Sequence, residues 1–202
     1  MKNLAHFFFE VGMLKRTPRT GFQFLGSGAE SVAEHSFRTA VIGFTLARLD
    51  GQVDVGRVLQ LCLFHDVPEA RLGDLNYVNK KYVQADEQRA VDDLAATLPF
   101  GEEYRQTLAE FAARESRESL LAHDADQLEM ILALKEYKDL GNRYADEWYP
   151  FCVRRLKTDL ACRLAEDIWT TDSTRWWFDN DSDWWVNGSH GGNPVDCPDD
   201  KC

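Results

Sequence analysis

The chain has 202 residues, 44% of them hydrophobic and 28% charged, and a formal net charge of −11. That composition suits one domain with a substantial core, while the excess of acid excludes an extended nucleic-acid or anionic-membrane surface, which needs clustered Lys and Arg. No apolar run reaches the roughly 20 residues of a membrane span, and Glu10 and Lys15 interrupt the apolar patch near the start, so a cytoplasmic protein is expected.

In chain order the sequence reads as helix after helix. His6-Phe7-Phe8-Phe9 with Val11, Met13 and Leu14 predicts an apolar opening helix that Pro18 ends. A basic cluster, Lys15-Arg16-Thr17-Pro18-Arg19, leads into a loop from Thr20-Gly21 to Gly26-Ser27-Gly28. Glu30 to His35 starts a helix whose apolar positions Phe37, Ala40, Val41, Phe44 and Ala47 recur at three and four residues, the spacing of one buried face. After a break at Asp50-Gly51-Gln52, Val55, Val58, Leu59, Cys62 and Leu63 form the next apolar face. It runs into His65-Asp66 and ends near Pro68, which disfavours helical geometry at Val67. Beyond Gly73-Asp74-Leu75 lies a basic, tyrosine-bearing segment with Lys80-Lys81. Ala90-Val91-Leu94 marks a helix that stops before Pro99, and Gly101 opens another.

A longer pattern runs from Glu115 to near Gly141 and carries His123-Asp124-Ala125-Asp126 inside an otherwise apolar face. Trp148, Phe151, Cys152, Leu156, Leu160, Leu164 and Ile168 predict one more long helix. With no alternating strand pattern and no repeat, the expected fold is all-α. Residues 179–202 differ in kind: six Asp against one Lys give −5, and few side chains there could anchor a core. They are expected to form a short, disordered, mobile acidic tail after a domain spanning 1–178.

The chemistry-bearing residues concentrate at three places. Neighbouring side chains on a regular helix point about 100° apart, but a helix end lets His65 and Asp66 turn toward one point. His35 arrives on the preceding helix, and Asp126 lies between Leu121 and Leu128-Met130-Ile131 on a helix headed for the core. Burying a lone carboxylate is costly and a cation removes the penalty. These are the pieces of a mixed imidazole-carboxylate metal site, with Asp124 a competitor for Asp126. The donor set suits Mn, Fe, Co or Zn better than Ca. The alternative is a buried structural His–Asp hydrogen bond.

Ser31-Val32-Ala33-Glu34-His35-Ser36, Leu63-Phe64-His65-Asp66-Val67-Pro68-Glu69-Ala70 with Arg71-Leu72-Gly73-Asp74-Leu75, and Asp126-Gln127-Leu128-Glu129-Met130 together resemble the H…HD…D signature of HD-domain metal-dependent phosphohydrolases, nearest to the small 5′-deoxynucleotidases. Leu14 to Gly21 is similar to the N-terminal loop of that group. The resemblance implies an HD-domain helical bundle, often homodimeric, that releases phosphate from nucleoside 5′-monophosphates. It implies His35, His65, Asp66 and Asp126 as ligands of one divalent metal ion (Mn, Co, Fe, Zn or Mg), Glu69 and Asp74 as acidic catalytic residues, and Arg16 as the phosphate-binding arginine. Thr17 stands where bacterial relatives carry Trp, which puts preference for deoxyribose in question, and Lys80 is a further substrate-binding candidate. Two other readings are a non-catalytic nucleotide- or metal-binding protein, and a phosphodiesterase or triphosphohydrolase. Glu69 and Asp74 favour catalysis, because a mere binding site needs no spare carboxylates.

Overall fold

The computed structural model describes residues 1–178 and 184–187. The elements are α1 (Lys2–Val11), a 3₁₀ turn (Gly12–Lys15), a second 3₁₀ turn (Thr20–Phe24), α2 (Val32–Asp50), α3 (Val55–Phe64), α4 (Glu69–Leu72), α5 (Asn79–Tyr82), α6 (Glu87–Ala95), α7 (Gly101–Ala113), α8 (Arg117–Asp139), α9 (Ala145–Val153), α10 (Asp159–Thr170) and α11 (Trp184–Asn187). Among the described residues there is no strand, so the architecture is all-α; one antiparallel bridge joins Pro18 and Ser31. The chain divides into a compact unit Met1–Thr170 and a second unit beginning at Thr171. In the second, Trp185 meets Trp177 and Trp184 edge to face and Phe178 at a tilt, with Trp177 and Trp185 centroids 5.6 Å apart. Apart from 184–187, the acidic tail expected over 179–202 lies outside the described residues.

Local chemistry sets the helix ends that matter. At the start of α2, Ser31 Oγ accepts from the Glu34 N–H (3.2 Å) while Glu34 Oε2 accepts from the Ser31 N–H (2.7 Å), a reciprocal capping box. That fixes Glu34 as a cap on the exposed side and turns His35 inward. Asp54 caps α3 by accepting from the N–H groups of Gly56 and Arg57. The last turn of α3 then delivers His65 and Asp66 just before Pro68.

α8 is the central element and packs against α2, α3, α9 and α10. Leu46, Leu61, Leu121, Leu128, Ile131 and Leu134 are fully buried among them. A smaller cluster holds Phe7, Leu14, Val32, Val67, Leu94 and Tyr104. Cys62, one turn before Asp66, belongs to the first cluster and Val67 to the second, so the His65-Asp66 pair stands at their seam.

Two expectations are corrected. The face of α2 that packs inward is Val32, His35, Ser36, Thr39, Ala40, Gly43, Leu46 and Ala47, while Phe37, Val41 and Phe44 are 72%, 52% and 45% exposed. The inward face is the small one because α2 approaches α3 closely: a Cβ on Gly43 would meet Cys62 Sγ at 2.4 Å. The single long helix expected over Trp148–Ile168 is two, α9 and α10. Asp124 makes the break by accepting from the N–H of Lys157 (2.8 Å), the N–H of Thr158 (2.9 Å) and the Thr158 hydroxyl (2.7 Å). Thr158 Oγ1 in turn accepts from the Ala161 N–H at the start of α10.

Candidate metal centre and its cavity

His35 Nε2 lies 3.4 Å from Asp66 Oδ2 and 3.2 Å from Asp126 Oδ1, and His65 Nε2 lies 3.1 Å from Asp66 Oδ2. Donor atoms of His35, His65 and Asp126 sit within 4.8 Å of one another, close enough to share one ion. Each imidazole is oriented from behind. His65 Nδ1 is 2.8 Å from the Cys62 carbonyl, which can only accept, so Nδ1 carries the proton and Nε2 faces the site. His35 Nδ1 is 2.6 Å from Glu129 Oε2, and Glu129 is itself held by Arg38 through Nε (2.9 Å) and Nη2 (2.6 Å). This is the carboxylate–histidine arrangement that orients metal-ligating rings.

Two buried atoms here, His65 Nε2 and Asp66 Oδ2, have no hydrogen-bond partner among the described residues. Buried polar atoms seldom go unpaired, and this donor set fits a divalent cation. The electrostatics agree. Burial disfavours a charged His35, yet the carboxylates of Asp126 and Glu129 push its imidazole up to about 10. Burial likewise opposes an ionised Asp126, but His35, His65 and Arg19 hold it far below the carboxylate range. The centre demands positive charge, which a proton or a metal ion can satisfy.

Asp124 is no competitor, since both its oxygens are engaged by the backbone before α10. Glu69 lines the adjoining cavity, and its buried Oε2 lacks a partner. Burial, then the neighbouring charges of Asp66 and Asp74, push its carboxyl up to about 9. Asp74 Oδ2 accepts from the Thr20 N–H (2.7 Å), and its carbonyl accepts from the Thr20 hydroxyl (2.8 Å). It thereby ties down the loop that carries Arg19.

Arg16 and Thr17 stand apart from the cavity lining. Arg16 is exposed, Thr17 Oγ1 bonds back to the Met13 carbonyl (3.2 Å), and neither lines the cavity. The guanidinium at the site is that of Arg19, with Nη1 3.6 Å from Asp66 Oδ2. The cause is the bridge between Pro18 and Ser31. Paired N–H groups of Val32 and Arg19 bond across it to the carbonyls of Thr17 and Glu30, which fixes the turn so that residue 19 faces inward. Lys80 does line the cavity.

The cavity has a volume of about 660 Å³ and runs from this centre past an aromatic wall of Phe111, Trp148 and Phe151. His123 braces that wall: its ring stacks on Phe111 (3.8 Å) and Nε2 donates to the Phe111 carbonyl (2.6 Å). Sequence reading missed Glu129, Arg38, Arg19 and His123. Glu129 had a signal, lying one helical turn beyond Asp126 on an apolar helix.

Comparison with known proteins gives the lineage. The sequence pattern of the HD domain matches residues 11–169. The chain belongs to the HD domain family. The 5′-deoxynucleotidase HDDC2 of Bos taurus is 34% identical to this HD-domain protein over 148 residues, covering 70% of this chain and 71% of that one. The protein of the same name from Homo sapiens is 32% identical over 150 residues, covering 70% and 72%. Among solved structures, a predicted metal-dependent phosphohydrolase from Magnetospirillum magnetotacticum MS-1 superposes with a TM-score of 0.67 at 26% identity, covering 83% of this chain and 89% of that chain. The PH0347 protein from Pyrococcus horikoshii OT3 gives 0.68 at 28% identity, covering 82% and 98%.

Proposed function

We propose that this HD-domain protein is a divalent-metal-dependent phosphohydrolase that releases phosphate from nucleoside 5′-monophosphates, deoxyribonucleotides included. The observation that carries the reading is the pair of oriented imidazoles beside Asp66 and Asp126, with orphaned buried atoms, on the lining of a cavity large enough for a nucleotide. Relatives named 5′-deoxynucleotidase and a structural neighbour titled metal-dependent phosphohydrolase support it.

In this reading His35, His65, Asp66 and Asp126 hold one divalent ion. Such an ion supplies positive charge for the phosphoryl group and acidifies water. The chain's own residues do the rest. Arg19 presents a planar guanidinium that binds two phosphate oxygens together. Glu69 Oε2 exchanges a proton with the attacking water or the departing 5′-oxygen. Asp74 keeps the Arg19 loop in place, and Phe111, Trp148 and Phe151 exclude water beside the base and sugar. With Thr17 away from the cavity, sugar preference rests on this wall instead.

The expected homodimer belongs to the same proposal. Glu34, Phe37, Val41, Phe44 and Arg48 share one exposed stripe of α2. Antiparallel pairing with a second copy would set Phe37 against Phe44 and Glu34 against Arg48. A cytoplasmic location accords with the free thiols of Cys62, Cys152 and Cys162, and among the described residues no helix is long and apolar enough to cross a membrane.

The direct test measures phosphate release from a panel of ribo- and deoxyribonucleoside 5′-monophosphates, with chelator and with Mn, Co, Zn or Mg restored. Release that needs metal supports the proposal. No release under any metal, from protein that binds the nucleotides, returns the non-catalytic alternative.

A further inference from the structure

The cavity carries more positive charge than one phosphate uses. Its acids, Asp66, Glu69, Asp74 and Asp126, gather at the metal end, where Arg19 answers them. Three further cations line the same space from separate parts of the chain: Lys80 from α5, Arg114 at the end of α7 and Arg155 after α9. None of the three forms an ion pair with a carboxylate among the described residues, although the chain carries −11 overall. Arg38, Arg71, Arg105 and Arg117, by contrast, are each paired.

All three reach solvent, and two of them carry a further local feature. Arg155 is partly desolvated, and burial alone draws its guanidinium below the usual range, with no charged neighbour restoring it. It lies over the Tyr77 ring (5.3 Å to the centroid), and Nη1 donates to Gln127 Oε1 (3.3 Å). Gln127 Nε2 donates in turn to Asp126 Oδ2 (2.8 Å), so Arg155 stands one amide away from the metal end. Arg114 closes α7 in the left-handed conformation, φ 55° and ψ 37°, where Gly or Asn would be less strained. A partly desolvated guanidinium without a counterion, as at Arg155, is a ready partner for an anionic ligand.

The geometry points to a second anion subsite, formed by Arg155, Arg114 and Lys80, that takes a phosphate on the 3′ side of a nucleotide whose 5′-phosphate sits at the metal end. The inference rests on the hydrolase reading and names its preferred substrate class: nucleotides phosphorylated at both ends. The 3′-phosphate could come from a free nucleoside 3′,5′-bisphosphate or from the phosphodiester of a short 5′-phosphorylated oligonucleotide.

Calorimetric titration of the manganese-loaded full chain, as the slowed Glu69→Gln variant, compares thymidine 5′-monophosphate, thymidine 3′,5′-bisphosphate and a 5′-phosphorylated thymidine dinucleotide. Initial rates on the parent chain repeat the comparison. The bisphosphate should bind about tenfold or more tightly than the monophosphate, the scale of one added charge-assisted hydrogen bond. A similar gain for the dinucleotide identifies the chain phosphodiester as the source; a gain for the bisphosphate alone identifies the free compound. Arg155→Gln and Arg114→Asn, the latter tolerant of the left-handed backbone, should each shrink the ratio of bisphosphate to monophosphate affinity. Arg155→Lys should retain part of it, and elemental analysis should show metal content unchanged. Equal affinity for mono- and bisphosphate in the parent overturns the subsite, as does an Arg155→Gln loss that falls on both ligands alike. If the parent hydrolyses no monophosphate, the hydrolase reading fails, while the binding ratio still decides the subsite.

Discussion

Glu129→Gln removes one charge and almost no volume from behind His35. In the parent, Glu129 accepts from His35 Nδ1–H through Oε2 and from Arg38 through Oε1, and it is wholly buried. Gln has one acceptor oxygen for these two demands. If the amide oxygen serves His35, its NH₂ faces the Arg38 guanidinium, donor against donor. If it serves Arg38, His35 loses its orienting partner. Either arrangement weakens the basicity of Nε2. Partners of ligating imidazoles are typically worth 10–100-fold in metal affinity, or about 1.4 to 2.7 kcal/mol. Stability should fall less, because Arg38 keeps Glu136 at 2.7 Å. The assay is competition between protein and a chelator of known affinity for Co or Mn, alongside melting of the metal-free protein. Unchanged metal affinity in a folded Glu129→Gln chain would refute the claim that Glu129 sets the ring of His35.

Asp124→Ala should leave metal content intact but remove three hydrogen bonds at the break before α10, costing about 2 to 4 kcal/mol and lowering Tm by roughly 4 to 15 °C; thermal melting with elemental analysis checks both. Arg19→Lys should lower kcat/KM for every nucleotide by a similar factor, since the two-pronged contact is common to all, whereas Arg16→Ala should stay within about twofold, a typical surface effect. Glu69→Gln should cut turnover by about 10² to 10⁴. Because the folded carboxyl of Glu69 is raised to about 9 from an ordinary 4.5, its stabilising contribution is complete below the ordinary value and fades as pH rises toward 9. The Tm of metal-free Glu69→Gln should therefore match the parent at pH 5 and exceed it by a few degrees at pH 8; a constant difference across that range would count against the raised carboxyl.

What the sequence disclosed depended on how local each cause is. The gathering of His35, His65, Asp66 and Asp126 could be read from position because a polar side chain on an apolar helix face, or at a helix end before Pro68, is conspicuous within a few residues. The inward face of α2 could not, because apolar side chains occupy both of its faces. The choice went to Ala40, Gly43 and Ala47, whose small size permits close approach to α3. The break between α9 and α10 was hidden for a different reason. Leu156 and Leu160 continue the helical spacing, and the side chain that interrupts it, Asp124, is more than 30 residues away in sequence. Arg19 and Arg16 belong to one basic cluster, and only the bridge of Pro18 to Ser31 decides which of them faces the metal end. Glu129 passed as one more helical charge because its partners, His35 and Arg38, lie about 90 residues away in the sequence.

The central claim is that two imidazoles and two carboxylates hold one divalent ion beside the cavity. Elemental analysis of the purified full chain, after equilibration with manganese or cobalt and removal of free metal, tests it most directly when repeated on His35→Ala and Asp126→Ala. One equivalent in the parent and far less in both variants, each shown by circular dichroism to be folded, is the predicted result. Full occupancy in folded His35→Ala and Asp126→Ala would contradict it.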